Sequence, residues 1–180
     1  YTRVKMGVNK DGRIVSAKAF LAFEAGAYPG SAVNAGAMCM LNMYKIDNIL
    51  IDANDVVVNK PKTSAYRAPG APQATYPVEC LVDEICETLG MDPIEFRLKN
   101  ATKEGDRQTS GVPFGNIGNI DVLEAAKASP HYKAELSGKW QGRGVASGFW
   151  FNGGGQSSAS ISVNADGTVQ LVTGSVDIGG

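Results

Sequence analysis

The chain has 180 residues, of which 43% are hydrophobic and 19% are charged, and its 17 basic and 18 acidic side chains give a net charge of -1. This composition favours a folded core over a disordered chain, and the interleaved charges, without a basic stripe, disfavour a nucleic-acid partner. No apolar run reaches the roughly 18 residues of a membrane span. The three unevenly spaced cysteines fit a reducing, cytoplasmic setting better than a disulfide framework.

The first 60 residues are predicted to form strands joined by short irregular segments. Asp11 and Gly12 separate two runs in which polar and apolar residues alternate, which is the pattern of a β-hairpin. The predicted elements are strands at 1–8 and 14–23, a loop of small residues at 24–34, a short helix or irregular buried segment at 35–43, and two short strands within 47–59.

Two helices are predicted in the middle of the chain. Apolar residues recur at helical spacing over 73–89, and Gly90 follows as a C-cap glycine. Asp92 and Pro93 are typical of an N-cap and a first helical position, which predicts a second helix to about Asn100. A polar loop at 101–118 and a third helix at 119–128 complete this part.

The last part of the sequence returns to strand patterns. Residues 144–151 predict one strand, and the runs 157–163 and 168–173 alternate around an Asp-Gly turn, which predicts a second hairpin. The predicted fold class is therefore α+β, with strand hairpins at both ends and a central helix pair.

The loop at 64–73, before the long helix, has the features of an anion-binding segment. It consists largely of turn residues, contains Arg67, and leads directly into the predicted helix. Free backbone N–H groups at a helix N-terminus, together with a guanidinium group, suit an anionic or oxo-rich ligand. The alternative interpretation is a structural loop whose arginine pairs with a nearby carboxylate.

A family resemblance begins at this loop. Residues 65–73, Ala-Tyr-Arg-Ala-Pro-Gly-Ala-Pro-Gln, resemble the arginine loop of the xanthine dehydrogenase and aldehyde oxidase family of molybdenum hydroxylases. Residues 44–48, 89–100 and 167–179 resemble the same family in the same order. The likeness covers nearly the whole chain and identifies it as an internal fragment of the large, molybdenum-cofactor-binding subunit.

The resemblance implies a division of the chain within a larger molybdopterin-binding domain. Residues 1–100 are expected to form the first part of the molybdopterin-binding region, with the hairpin, the arginine loop and the helices. Residues 101–141 are expected to be a linker and a helix. Residues 142–180 are expected to begin a second molybdopterin-binding region with a hairpin.

The resemblance also implies an activity, cofactors and partners. Members of the family hydroxylate a carbon atom of a small-molecule substrate with oxygen from water. They use a molybdenum-molybdopterin cofactor, in some cases as the cytosine dinucleotide. Electrons pass to iron–sulfur clusters and often FAD, which are carried on other domains or subunits. The expected partners are therefore the rest of the large subunit and these iron–sulfur and FAD components.

Six residues are assigned to the site through the resemblance. Arg67 and the backbone of Ala68 are expected beside the molybdenum centre. Gly179 and Gly180 correspond to a turn that meets the cofactor, although its central glutamine has no match here. Phe149 and Pro69 fall at substrate-flanking positions; the alternative for Phe149 is an ordinary strand residue that faces the core.

Departures from the family pattern narrow the substrate. Purine-oxidising members carry an arginine where this chain has Ala35 and a phenylalanine where it has Pro69. Carbon monoxide dehydrogenases carry a copper-binding cysteine where this chain has Ala68. The substrate classes that remain are an aldehyde, an N-heterocycle and an aromatic thioester.

The catalytic glutamate of the family has no match in this sequence, so the fragment is expected to be inactive alone. Glu79, on the long helix, is interpreted as a structural partner of the arginine loop. The stretch 38–43 is a candidate for exposed apolar surface. Two other functions remain open: a non-catalytic scaffold or subunit-interaction module with the same fold, and a small anion-binding domain.

Overall fold

The computed structural model describes residues 1–151 and 156–175. Strands and helices are mixed along the chain, as the α+β prediction requires. The elements are β1 (Thr2–Val8), β2 (Ile14–Gly26), α1 (Val33–Cys39), β3 (Asn48–Val57), α2 (Ala71–Leu89), α3 (Pro93–Asn100), α4 (Asn119–Ala128), α5 (Pro130–Lys133), β4 (Ala159–Val163) and β5 (Val169–Thr173).

The first three strands form one sheet in the order β1-β2-β3. β1 and β2 are antiparallel, and Gly12 adopts a φ of 85° in the turn between them, which a glycine tolerates without steric cost. β3 lies parallel to β2 on its other edge and pairs with it from Asn48 to Val57. The predicted first hairpin is confirmed.

The prediction of two strands within 47–59 is wrong, because a single strand crosses the polar stretch in its centre. Asn54 donates from its side chain to the carbonyl of Leu21 at 3.3 Å. Asp55 accepts the amides of Gly30 and Ser31 at 2.7 and 2.9 Å. These residues favour turns in isolation, but here their side chains bond neighbouring segments while the backbone stays in the ladder.

The core lies between this sheet and the helices α1, α2 and α3. Ala19 and Leu21 of β2 are fully buried, as are Val78 and Val82 of α2 and Phe96 of α3. α2 begins at Ala71, slightly before the predicted start, and ends at Leu89. Burial of such side chains is the main favourable contribution to folding, at about 1.5–3 kcal/mol for each large one.

The stretch 38–43 is not the exposed apolar surface that the sequence predicted. Met40 and Leu41 are fully buried and Met43 is 3% exposed, while Met38 alone is largely exposed. The reason is that the chain turns sharply after α1, so that consecutive residues enter the core.

α3 is fixed at both ends by side-chain hydrogen bonds. The carboxylate of Asp92 accepts the amides of Ile94 and Glu95 at 2.8 and 3.0 Å, as an N-cap should. At the other end, Asn100 accepts the amide of Ile14 at 2.9 Å and donates to the carbonyl of Gly12 at 2.8 Å. Asn100 therefore ties the helix pair to the first hairpin.

The predicted strand at 144–151 is wrong, because this segment has no regular secondary structure. The amide of Ser147 bonds a buried side chain instead of a neighbouring strand, and a strand requires such a neighbour. The second hairpin is confirmed: β4 and β5 pair antiparallel from Ala159–Thr173 to Val163–Val169.

Candidate functional site

Because α2 begins at Ala71, the loop before it comprises residues 64–70, which are called the arginine loop from here on. This loop is held at its start by backbone contacts. The backbone N–H and the hydroxyl of Thr63 both donate to the carbonyl of Ala25, at 3.0 and 3.1 Å. Next to this contact, Gly26 lies so close to the incoming chain that a Cβ there would be 2.2 Å from the carbonyl oxygen of Pro61. The loop thus begins in backbone contact with the end of β2.

The end of the loop has an unusual backbone conformation. Ala68 has a φ of 54°, the one left-handed value at a non-glycine residue among the described residues, and Gly70 follows with a φ of 82°. A left-handed alanine costs roughly 1 kcal/mol, and such conformations concentrate at ligand sites. The amide of Ala71 donates to the carbonyl of Ala68 at 3.1 Å, which closes the turn into α2.

The loop carries hydrogen-bond donors that have no acceptor within the part of the chain that the structure describes. The side chain of Arg67 is exposed and takes part in no ion pair or hydrogen bond there. The backbone N–H groups of residues 64–68 and of Gly70 likewise donate to no described residue. α2 has no acidic residue in its first turn and no side-chain cap. Several donors without an acceptor and the positive end of a helix therefore lie on one short segment, of which residues 64–67 are exposed.

An open groove of about 940 Å³ lies beside the loop. Pro69 contributes to its wall, as do Gln73 and Tyr76 from the first turns of α2. Tyr1, Phe23, Ser31 and Thr63 are among the residues on its other sides. The groove is wide enough for a small organic molecule, and of the sequence-assigned site residues only Pro69 lines it.

Phe149 lies in a different place from the arginine loop. It packs edge-on against Phe114, with ring centroids 5.7 Å apart, and it is partly buried against the core. It lines a separate cavity of about 330 Å³ with Met43 and Trp150, and this cavity shares no residue with the groove at Pro69. Pro69 and Phe149 therefore line different cavities, and Arg67 and Ala68 line neither of them.

Glu79 has partners that the sequence did not indicate. Its carboxylate accepts the Nε and Nη2 groups of Arg97 at 3.0 and 2.9 Å, the amide of Ser147 at 2.6 Å, and the hydroxyl of Tyr44. Glu79 is thus a structural residue, but its expected partnership with the arginine loop is wrong. Arg97 of α3 is fully buried and such a charge requires a buried carboxylate, but this burial follows from the fold and has no signature in the sequence.

This buried cluster shifts the pKa values of two of its members. Burial, followed by the charge of Glu79, raises the pKa of the Tyr44 hydroxyl well above its ordinary value. Burial acts to lower the pKa of Arg97, but Tyr44 and Glu79 outweigh it, and the pKa is raised. The cluster is a charged hydrogen-bond network that connects α2, α3 and the segment at 142–151. It is structural and not a reactive site.

Two assigned residues, Gly179 and Gly180, lie outside the described residues. Within residues 1–151 and 156–175, no group of three or more His, Cys, Asp or Glu side chains is arranged to hold a metal ion. No helix in these ranges combines the length and the apolar character needed to cross a membrane.

Comparison with known proteins assigns a family to the chain. The model of the molybdopterin cofactor-binding domain family matches residues 1–101. The chain is 29% identical to a putative xanthine dehydrogenase molybdenum-binding subunit of Escherichia coli K12, over 97% of the chain and 25% of that protein. It is 34% identical to the nicotinate dehydrogenase large molybdopterin subunit of Eubacterium barkeri, over 68% of the chain and 30% of that protein.

The fold has a counterpart among solved structures. The aldehyde oxidoreductase of Desulfovibrio desulfuricans superposes with a TM-score of 0.79 at 28% identity, over 94% of this chain and 20% of that one. The chain therefore spans about a quarter of the length of the curated relatives it matches. Because the family model covers more than half of the residues, the chain belongs to the molybdopterin cofactor-binding domain family, among the relatives of xanthine dehydrogenases and aldehyde oxidoreductases.

Proposed function

We propose that the chain is part of the large subunit of a molybdenum hydroxylase and that its arginine loop contacts the molybdopterin cofactor. The observation that carries this proposal is a group of hydrogen-bond donors on one short, largely exposed loop: the guanidinium of Arg67 and the backbone N–H groups of residues 64–68. Neither the guanidinium nor any of these N–H groups has a hydrogen-bond acceptor among the described residues. A structural ion pair of Arg67 was the alternative, and no described carboxylate forms one.

The donor set fits the chemistry of the cofactor. A molybdopterin cofactor is anionic and its molybdenum carries oxo ligands, and a guanidinium together with unpaired N–H groups beside a helix N-terminus suits such a ligand. Arg67 and the backbone of Ala68 would hold the group at its metal end. When bound, the cofactor supplies the transfer of an oxygen atom from water to carbon and accepts two electrons. The contribution of the loop is to bind, orient and neutralise charge.

The substrate is proposed to be an aldehyde, an N-heterocycle or an aromatic thioester. The neutral side chains at Ala35 and Pro69 offer no clamp for a purine ring, and Ala68 offers no thiolate for copper. The named relatives include both an aldehyde oxidoreductase and a nicotinate dehydrogenase. Pro69 and Phe149 are proposed to flank the substrate, with the open groove beside Pro69 as the better supported of the two positions.

The proposed partners follow from the length of this chain compared with its relatives and from the exposed second hairpin. Relatives are about four times as long, so the rest of a large subunit would complete the site and supply the catalytic glutamate. The fully exposed hairpin β4–β5 supports the proposal that residues 142–180 begin a second molybdopterin-binding region. Iron–sulfur and FAD components would accept the electrons, and the cofactor could carry a cytosine dinucleotide. A cytoplasmic location is proposed with these partners.

The experiment that tests the function uses the complete polypeptide that contains this chain, purified from a host that makes the cofactor. Molybdenum content and dye reduction with aldehydes and N-heterocycles would be measured. We expect close to one molybdenum per subunit, and we expect Arg67→Gln to lower kcat about 100-fold. Arg13→Gln, at an exposed arginine of the first turn, is the matched control and should be neutral.

Two results would contradict the proposal. Absence of molybdenum from the wild-type polypeptide would favour a non-catalytic scaffold or subunit-interaction module with the same fold. Full activity of the Arg67→Gln variant would remove Arg67 from the site even if the enzyme class were correct.

A further inference from the structure

We propose that Gly36 and Gly70 are positioning residues for Arg67, because their missing side chains allow the arginine loop to lie directly on the backbone of α1. This inference rests on the proposed function, since it assigns a role to the residues that hold the proposed cofactor ligand. It adds a supporting role for the short helix α1, of which the sequence connected only Ala35 with the substrate.

The contact between the loop and α1 is made by backbone atoms. A Cβ on Gly70 would lie 2.2 Å from the carbonyl oxygen of Ala32 and 2.9 Å from the nitrogen of Gly36. A Cβ on Gly36 would lie 3.0 Å from the carbonyl oxygen of Gly70. A side chain at Gly70 cannot be accommodated at these separations without movement of the backbone, and one at Gly36 would push the carbonyl group of Gly70 away by a few tenths of an ångström. Both glycines therefore contribute to the close approach of the loop to α1.

The position of Arg67 depends on this contact because the loop has few others. Residues 64–68 donate no backbone hydrogen bond to any described residue. The loop is held at Thr63, where it meets β2, and at Gly70, where it meets α1. Arg67 lies between these two points. A displacement at Gly70 is therefore transmitted to Arg67 through only a few bonds, including the left-handed Ala68.

The glycine at the other end of α2 provides a control substitution. Gly70 and Gly90 precede and follow the same helix, and both have a positive φ, of 82° and 62°. Gly70→Ala is the more strained change, because the ψ of -25° at Gly70 lies outside the left-handed region that alanine tolerates, whereas the ψ of 32° at Gly90 lies within it. A Cβ at Gly90 would have no neighbour within 4 Å, so Gly90→Ala tests the effect of a weaker helix end without disturbing the contact with α1.

Gly36→Ala is the more selective probe. Gly36 is inside a helix, where alanine is intrinsically preferred to glycine, so a loss must come from the new contacts. These contacts are the carbonyl oxygen of Gly70 at 3.0 Å and the Cβ of Ala74 at 3.2 Å. Adding Ala74→Gly removes the second contact and leaves the first. If the loss in Gly36→Ala comes from displacement of the loop, adding Ala74→Gly should not restore function. If the loss comes from crowding between α1 and α2, adding Ala74→Gly should restore it.

The test uses the complete polypeptide and three readouts: molybdenum retained after gel filtration, kcat with KM, and the rate of tryptic cleavage after Arg67 followed by mass spectrometry. For Gly36→Ala we expect a loss of about tenfold in kcat or in retained molybdenum and cleavage about threefold faster. Gly36→Ala with Ala74→Gly should behave in the same way. Gly70→Ala should be at least as severe, and Gly90→Ala should lower only the melting temperature.

Several outcomes would overturn the proposal. They are wild-type molybdenum retention and kcat in Gly36→Ala, restoration of both by Ala74→Gly, or an equal loss in Gly90→Ala. A wild-type polypeptide without molybdenum would refute the proposed function instead. The cleavage rate would still test the positioning role in that case, and an unchanged rate in Gly36→Ala and Gly70→Ala would refute it.

Discussion

The backbone amide of Ser147 donates a 2.6 Å hydrogen bond to the buried carboxylate of Glu79, across 68 positions of sequence. The same carboxylate oxygen also accepts two donors from Arg97. Glu79 belongs to the helix that begins at the arginine loop, and Ser147 precedes Phe149 by two positions. One oxygen atom therefore links the helix of the candidate site to the segment that carries Phe149.

Removing the Ser147 amide should loosen the segment at 142–151. Ser147→Pro deletes the N–H group and leaves an ionised acceptor with one donor fewer, which should lower the free energy of unfolding by about 1.5–3 kcal/mol. Ser147→Ala keeps the N–H group and should change it by less than about 0.5 kcal/mol. Urea unfolding of the chain measures both variants.

A further variant controls for proline itself. Ala146→Pro removes a neighbouring amide that has no acceptor among the described residues. If Ala146→Pro and Ser147→Pro destabilised the chain equally, the bond to Glu79 would not be the cause.

The ion pair of Glu79 and Arg97 should show strong coupling. Arg97 is fully buried and Glu79 is 6% exposed, so Arg97→Met alone should cost about 3–5 kcal/mol by leaving the Glu79 charge without its partner. Glu79→Leu alone should cost less, because Arg97 keeps its ion pair with Asp83 at 3.1 Å. The double variant should cost clearly less than the sum, because both charges are then absent. A double-mutant cycle in urea measures this difference, and additive losses would contradict it.

The N-cap of α3 should make stability depend on pH in the acid range. Burial acts to raise the pKa of Asp92, but hydrogen bonds from Tyr132 and from the amides of Glu95 and Ile94 outweigh it and lower the pKa below 3.8. A depressed carboxyl pKa contributes stability above the unfolded value, and that contribution is lost as the pH falls through the folded value.

Asp92→Ala should therefore cost about 1 kcal/mol at neutral pH. The difference between wild type and variant should shrink once the pH falls below 3.8. Unfolding curves at several pH values test this, and a constant difference down to the most acidic point would show that the carboxylate charge is not involved.

The second hairpin should cause self-association of the isolated chain. Ile161 pairs with Leu171 and Val163 with Val169, so these four side chains share one face, and each is at least 60% exposed. Exposed apolar sheet surface of this kind promotes association. Ile161→Thr with Leu171→Thr should reduce the apparent mass in analytical ultracentrifugation.

The opposite face of the same hairpin supplies the control. Ser162 pairs with Gln170 there, and Ser162→Thr with Gln170→Thr should leave the association unchanged. Equal effects on both faces would indicate that the hairpin acts through its backbone edge and not through its apolar face.

The parts of the fold that the sequence predicts correctly are those fixed by local chemistry. Gly90 and Asp92 mark a helix end and a helix start through bonds to residues nearby in the chain. The Asp-Gly turns specify both hairpins in the same way. These signals need no knowledge of distant segments.

What the sequence did not indicate depends on distant partners. Ser147 finds Glu79 instead of a strand neighbour, and β3 remains a single strand because β2 is long enough to pair with it throughout. The left-handed Ala68 has no sequence signature, because alanine is an ordinary helix former. Within the candidate site, the arginine loop could be recognised from its residues, but its backbone contact with α1 could not.

The bonds of Asn100 to the first hairpin have a consequence for synthesis on the ribosome. The side chain of Asn100 forms hydrogen bonds with Gly12 and Ile14, and both of these residues leave the exit tunnel long before Asn100 does. The hairpin can form early, but its turn lacks these partners until α3 has emerged. Nascent chains that pause before this point would expose the apolar face of the sheet to chaperones or to other nascent chains. The timing of translation around α3 should therefore influence how much of the chain reaches its native state.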